Sequence, residues 1–168
     1  MKRIIQFLIL SLTLCLSFSA KVYAQQKLYD EQINPMEQID KALAQAKQQG
    51  KHVICQLGGN WCVWCLRFAD FITKDTAINE VVDKNYVYIH VNYPRRGSAL
   101  SESTQQVVKR LGGADRFGFP CHVVLDEEGR VIHIQDSGYL EEGKGYDKEK
   151  TLRFFRLWTP AACHPKDE

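Results

Sequence analysis

Two cysteines separated by two residues, set where a strand gives way to a helix, constrain this chain more than any other feature. His52 to Leu57 is a short, largely apolar run with β-branched residues and reads as a buried strand. It stops at Gly58-Gly59-Asn60, and Trp61-Cys62-Val63-Trp64-Cys65 opens a helix. On that helix Cys65, Phe68, Ala69 and Ile72 recur at helical spacing, so Cys65 points toward a core while Cys62 sits at the exposed N-terminal end. Unpaired backbone N–H groups and the helix dipole stabilise a thiolate at the first cysteine, lowering its pKa below the free value of about 8.5. The second, one turn deeper, is placed to attack a mixed disulfide and release a reduced substrate. Cys62 is therefore the candidate nucleophile and Cys65 the candidate resolving thiol.

The flanking pattern supplies the rest of an α/β domain. Asn34-Pro35-Met36-Glu37 has the residues of a helix start, with Asn34 as N-cap, Pro35 in the first turn and Glu37 placed for a capping box. Ile39, Ala42, Leu43 and Ala46 give that helix one apolar face, and Gly50 ends it. After the C-x-x-C helix, a further helix is expected from about Asp75, a strand over Tyr86 to Asn92, a loop over Tyr93 to Ser101, and a helix marked by Thr104, Val107, Val108 and Leu111. Runs from Cys121 to Asp126 and from Arg130 to Gln135, joined by Glu127-Glu128-Gly129, read as a hairpin. Thr151, Phe154, Phe155 and Trp158 give a last helix its apolar face. This order predicts one parallel crossover and a terminal antiparallel hairpin, hence a four-stranded mixed sheet with helices on both faces.

The N-terminus carries a different signal. Met1-Lys2-Arg3, an apolar run from Ile4 to Phe18, and Val22-Tyr23-Ala24 before Gln25 form the pattern of a secretory signal peptide over residues 1–24. The run is shorter than the ~20 apolar residues that a spanning helix needs. Cys15 belongs to this leader, because Leu14 is bulky where a lipoprotein site wants a small residue. The remaining divisions expected are a polar, loosely held arm over 25–33, one domain over 34–159 and a tail over 160–168.

Removal of the leader takes away Lys2, Arg3 and Lys21 and no acid, moving the net charge from +2 to −1. With no basic cluster left, there is no electrostatic case for nucleic acid or a membrane surface as partner. A secreted, periplasmic location permits disulfides, and five cysteines remain: Cys55, Cys62, Cys65, Cys121 and Cys163. Their odd number leaves at least one thiol unpaired within a monomer.

Trp61-Cys62-Val63-Trp64-Cys65, followed by Gly118-Phe119-Pro120 before a hairpin and a last helix, resembles the thioredoxin superfamily over about Asn34 to Thr159. It is most similar to secreted members with a second aromatic residue inside the C-x-x-C. The resemblance implies a thioredoxin fold, thiol-disulfide exchange with protein disulfides or dithiols, and an upstream thiol-disulfide electron partner, for which a membrane-bound protein is one form. It also implies that Pro120 is a cis-proline facing the cysteines, and that the backbone at Phe119 pairs with an extended substrate, with Trp61 and Trp64 beside it. Gly138 resembles the family's glycine near that face, although a simple turn fits it nearly as well.

Three departures stand out. Where many thioredoxins carry a buried Asp six residues before the first cysteine, this chain has Gln56, which accepts no proton from a resolving thiol. Val63-Trp64 lacks the His found between the cysteines of strongly oxidising periplasmic enzymes, which favours a reductant or isomerase. Arg67 is a candidate for added positive charge near the thiols. Cys121 is either a third redox thiol or, as favoured, a small buried hydrophobe like Cys55. Cys163 is expected to be exposed in the tail, free for an intermolecular or tail disulfide.

No cofactor or metal is expected. A zinc site joining Cys62 and Cys65 to Cys121 and to Cys163 or His164 has no second C-x-x-C to support it. Covalent haem is excluded by Leu66, where C-x-x-C-H requires His. His52 and His90 are expected to be packed or exposed rather than catalytic. The rival reading of the whole chain is a binding or chaperone module of the same fold, in which residues 62 and 65 form a merely structural disulfide.

Overall fold

A computed structural model of the chain describes residues 27–95 and 97–164. The expected leader over 1–24, including Cys15, lies outside the described residues, as do positions 25, 26, 96 and 165–168.

Helix α1, Pro35–Gln49, starts as its sequence dictates: the Asn34 side chain accepts the Met36 N–H at 3.0 Å, and Pro35 fills the first turn. Gly50 ends it at φ 63°, a left-handed conformation that favours glycine. Strand β1, His52–Gly58, is buried along its whole length. Helices α2, Val63–Lys74, and α3, Thr76–Asn85, form the crossover to β2, Tyr86–Asn92. Asp75 punctuates them, its carboxylate accepting the Ile78 N–H at 3.1 Å. β2 runs parallel to β1, in a register that sets His52 opposite Tyr86 and Gly58 opposite Asn92.

Helix α4, Glu102–Arg110, is capped by the Ser101 hydroxyl, and a 3-10 turn over Ala114–Phe117 leads to a cis Phe119–Pro120 peptide. Strands β3, Cys121–Leu125, and β4, Val131–Asp136, follow, with β3 antiparallel to both β1 and β4. The strand order is β2-β1-β3-β4, the expected four-stranded mixed sheet. Helix α5, Lys148–Leu157, completes the body.

Alternation along the strands divides the core in two. Val53, Cys55, Leu57, Val123 and Leu125 pack against Ile39, Ala42 and Ala46 of α1 and Val107 of α4. Ile54, Tyr86 and Val124 face the other way, onto Phe68, Ile72, Ile78, Val82, Phe154 and Phe155 of α2, α3 and α5. Ile54, Phe68 and Phe155 are fully buried, each worth about 1.5–3 kcal/mol of transfer free energy.

Three segments differ from expectation. Between β4 and α5 lie a 3-10 turn over Ser137–Leu140 and a small hairpin of β5, Glu141–Glu142, and β6, Gly145–Tyr146, elements too short to carry a periodic signal. Gly138 takes its simpler role in that turn, its N–H donating to the Asp136 carboxylate at 2.9 Å. The expected tail begins with a one-turn helix α6, Pro160–Cys163, because the Thr159 hydroxyl caps it and proline suits its first position. Cys163 is consequently half-buried rather than exposed. The arm before α1 is not loose where it is described: Tyr29 is fully buried, and Asn60 clamps it by accepting its N–H at 3.1 Å and donating to its carbonyl at 2.8 Å.

Candidate active site

The end of β1 and the start of α2 hold the two cysteines. Cys62 is the N-cap of α2, and its Sγ accepts the Cys65 N–H at 3.2 Å. The two sulfurs are joined in a disulfide. Cys65 is fully buried and Cys62 is 6% exposed, so the first cysteine is the accessible one only by a small margin. The expectation of an exposed Cys62 is corrected by its neighbours: Trp61, Val63, Trp64 and Phe119 line a cleft of about 330 Å³ together with Cys62.

Aromatic contacts fix the walls of this cleft. The Trp61 indole stands edge-on to the Phe119 ring at 5.4 Å and donates its N–H to the Tyr93 carbonyl at 2.9 Å. Trp64 packs edge-on to Tyr146 at 5.7 Å, and the Tyr146 hydroxyl donates to the Trp64 carbonyl at 3.0 Å. The cleft is thus apolar and aromatic, with Cys62 in its lining.

Beneath the disulfide lies a polar layer centred on Gln56, which is fully buried. Its amide N–H₂ donates to the Tyr29 hydroxyl at 2.5 Å and to the Cys65 carbonyl at 3.1 Å, and its carbonyl accepts the Tyr88 hydroxyl at 2.6 Å. Both amide hydrogens are therefore used. Burial pushes the Tyr29 and Tyr88 hydroxyls well above their ordinary value, so neither phenol is a base at neutral pH. The layer next to Cys65 thus consists of three neutral groups, with Gln56 bonded to both tyrosines.

The profile of a family described as thioredoxin-like matches residues 34–127, more than half of the chain. The chain belongs to that thioredoxin-like family. Its fold is similar to that of a disulphide isomerase from Xylella fastidiosa Temecula1, with a TM-score of 0.66 and 22% identity over 79% of this chain and 97% of that one. It also aligns with the oxidised C-terminal domain of Neisseria meningitidis DsbD, at a TM-score of 0.47 and 17% identity over 73% of this chain and 94% of that one. No curated protein matches the chain.

On this thioredoxin-like frame the expected site residues separate. Cys62, Cys65, Trp61, Trp64 and Phe119 come together around the cleft, and Pro120 follows Phe119 through the cis bond. Gln56 lies under Cys65. Arg67 is exposed, with its guanidinium 5.0 Å from the centre of the Trp64 ring on the outer surface of α2. Cys121 belongs to the core face toward α1 and α4 and not to the disulfide cluster, its Sγ 3.6 Å from the Gln135 carbonyl. Burial pushes its thiol up to about 12, as it does that of Cys55, so both behave as hydrophobes at neutral pH.

Sequence reasoning missed Tyr29, Asn60 and Tyr88. The only signal for Tyr29 was an apolar pair, Leu28-Tyr29, inside a polar arm. Its importance is visible at Gly58, where an added Cβ would lie 2.5 Å from Cys65 Sγ and 2.8 Å from the Tyr29 hydroxyl. Gly58→Ala is expected to destabilise the oxidised chain by about 1–3 kcal/mol, because both neighbours are buried and neither can withdraw freely. Urea denaturation checks this, and an unchanged midpoint would show that the packing under Cys65 is looser than described.

Proposed function

We propose that the chain is a secreted, periplasmic thiol-disulfide oxidoreductase that acts on protein disulfides as a reductant or isomerase. The reading divides the chain into a leader over 1–24, an arm over 25–33, a domain over 34–159 and a tail. The observation that carries it is the placement of Cys62: a sulfur at a helix N-cap, accepting a backbone N–H, in the lining of an aromatic cleft. The same N–H and the helix dipole favour the thiolate once the disulfide is opened.

In the reducing direction the Cys62 thiolate attacks one sulfur of a substrate disulfide, forming a mixed disulfide and expelling the other sulfur as a thiolate. Deprotonated Cys65 then attacks Cys62 Sγ, which breaks the mixed disulfide and regenerates the 62–65 bond. The substrate gains two electrons and two protons, and the pair loses them. Trp61, Trp64 and Phe119 hold the apolar side chains that flank the substrate cysteine, and the backbone beside cis-Pro120 aligns an extended peptide. Because Gln56, Tyr29 and Tyr88 accept no proton at neutral pH, Cys65 loses its proton to solvent when the mixed disulfide parts the two sulfurs. An upstream thiol-disulfide partner, for which a membrane-bound protein is one form, supplies the dithiol that resets the pair.

Insulin reduction by dithiothreitol tests the reading. Wild-type chain is expected to accelerate precipitation of the insulin B chain, and Cys62→Ser to give only the uncatalysed rate. A wild-type chain with no effect would instead favour a binding module with a structural disulfide.

A further inference from the structure

At the opposite end of β1 from Cys62, three segments distant in sequence bring imidazole and carboxylate groups together. His52 begins β1, Glu127 lies in the turn between β3 and β4, and His164 follows α6. One ligand atom from each lies within 4.8 Å of the others. Among the described residues, no other set of three His, Cys, Asp or Glu side chains converges in this way. We propose that His52, Glu127 and His164 form a binding site for a divalent transition-metal cation of the zinc type.

The decisive residue is His52. Its side chain is fully buried, and its Nδ1 lies 2.9 Å from the Trp158 carbonyl. A carbonyl only accepts, so Nδ1 carries the proton and the Nε2 of the neutral ring keeps its lone pair. That Nε2 is buried without a hydrogen-bond partner and faces Glu127 Oε2 at 3.4 Å. A lone pair opposite a carboxylate oxygen is two acceptors facing each other. The arrangement calls for a cation between them, and the choice is a proton on His52 or a metal ion.

The surroundings favour the metal. A ring nitrogen held by a backbone carbonyl, with its partner nitrogen left to ligate, is the outer-shell pattern of metal-binding histidines. A second imidazole, His164, stands edge-on to His52 with ring centres 6.4 Å apart, which a proton alone would not require. Tetrahedral zinc with bonds of about 2.0–2.2 Å needs donor atoms about 3.3 Å apart. His52 is fixed, but Glu127 and His164 are not buried and can close the remaining distance. The nearby cation Arg130 is engaged elsewhere, with Asp126 at 2.6 Å and Glu128 at 3.0 Å.

Two histidines and a glutamate suit zinc, with the fourth position left to solvent. β1 advances about 3.3 Å per residue, so some 20 Å separate this site from the cysteines. It therefore stands or falls independently of the redox reading. Its effect on the protein would be to tie the C-terminal turn to the start of β1 and to the β3–β4 turn.

The test uses the untagged chain with the Cys62–Cys65 bond oxidised, titrated with Zn²⁺ by calorimetry and followed by thermal unfolding. One equivalent of zinc is expected to bind, with the midpoint rising by about 5 °C or more at a hundredfold excess over the dissociation constant. Glu127→Gln and His164→Ala, both away from the core, are each expected to weaken binding by at least about tenfold. Absence of binding at about 0.1 mM zinc overturns the proposal. So does binding of undiminished affinity in both variants.

Discussion

Replacing Cys65 with serine is expected to stop turnover and leave Cys62 covalently joined to its substrate. A serine hydroxyl does not displace a thiol from a disulfide at neutral pH, so the mixed disulfide formed by Cys62 has no internal route to resolution. The two core thiols cannot stand in. With their thiols pushed up to about 12, Cys55 and Cys121 hold about one part in 10⁵ as thiolate at pH 7, and both are fully buried. Mass spectrometry under non-reducing conditions, in a Cys163→Ser background, should place the adduct on Cys62. An adduct on Cys121, or sustained turnover without any adduct, would overturn the roles assigned to the pair.

The second large effect is acid destabilisation. His90 and His122 flank Gln56 on the neighbouring strands, in register with it on both sides. Burial lowers His90 to about 4 and His122 to about 3, the charge of His90 adding to the depression at His122. His122 packs between Phe68 and Phe154 with neither ring nitrogen well hydrogen-bonded, so protonating it would put an unpaired charge in the core.

Each folded-state value lies below the unfolded value of about 6.5, so the unfolded chain takes up the protons first. Neither histidine affects stability above about pH 7, and the native state weakens as the pH falls from 6.5 toward 4. At pH 5 the cost is about 2 kcal/mol for His122 and somewhat less for the partly exposed His90, or about 3 kcal/mol together. For a domain stable by about 5–15 kcal/mol this is a considerable share.

Urea midpoints at pH 7.5 and 5.0 should therefore differ by about 1–2 M, and His122→Leu should remove half of the difference or more. Equal midpoints at the two pH values, or an undiminished difference in the variant, would show that these rings are not held neutral.

The parts of this structure that sequence foretold are those with local causes. Asn34, Pro35 and Gly50 fix α1 by capping chemistry confined to a few residues, and the Cys65, Phe68, Ala69, Ile72 stripe turns α2 onto the sheet. The candidate site was legible because Cys62 sits at a helix terminus, which a strand, two glycines and a helical stripe announce by themselves. What escaped notice depends on distant partners. Tyr29 reaches Asn60 across 31 positions and Gln56 across 27, and a single tyrosine among polar residues carries no period that would place it in a core. The substitution of Gln56 for an acid was visible, but the tyrosine pair that satisfies it was not. Nor was the near-burial of Cys62, which follows from three aromatic rings drawn from two segments.

The redox equilibrium of the Cys62–Cys65 pair, measured against glutathione and dithiothreitol buffers with the thiols counted by alkylation, tests the central claim most directly. A working reductant or isomerase predicts a potential between about −180 and −270 mV. A value near −120 mV would identify a strong oxidant, and one below about −300 mV a structural disulfide, and either would contradict the function proposed here.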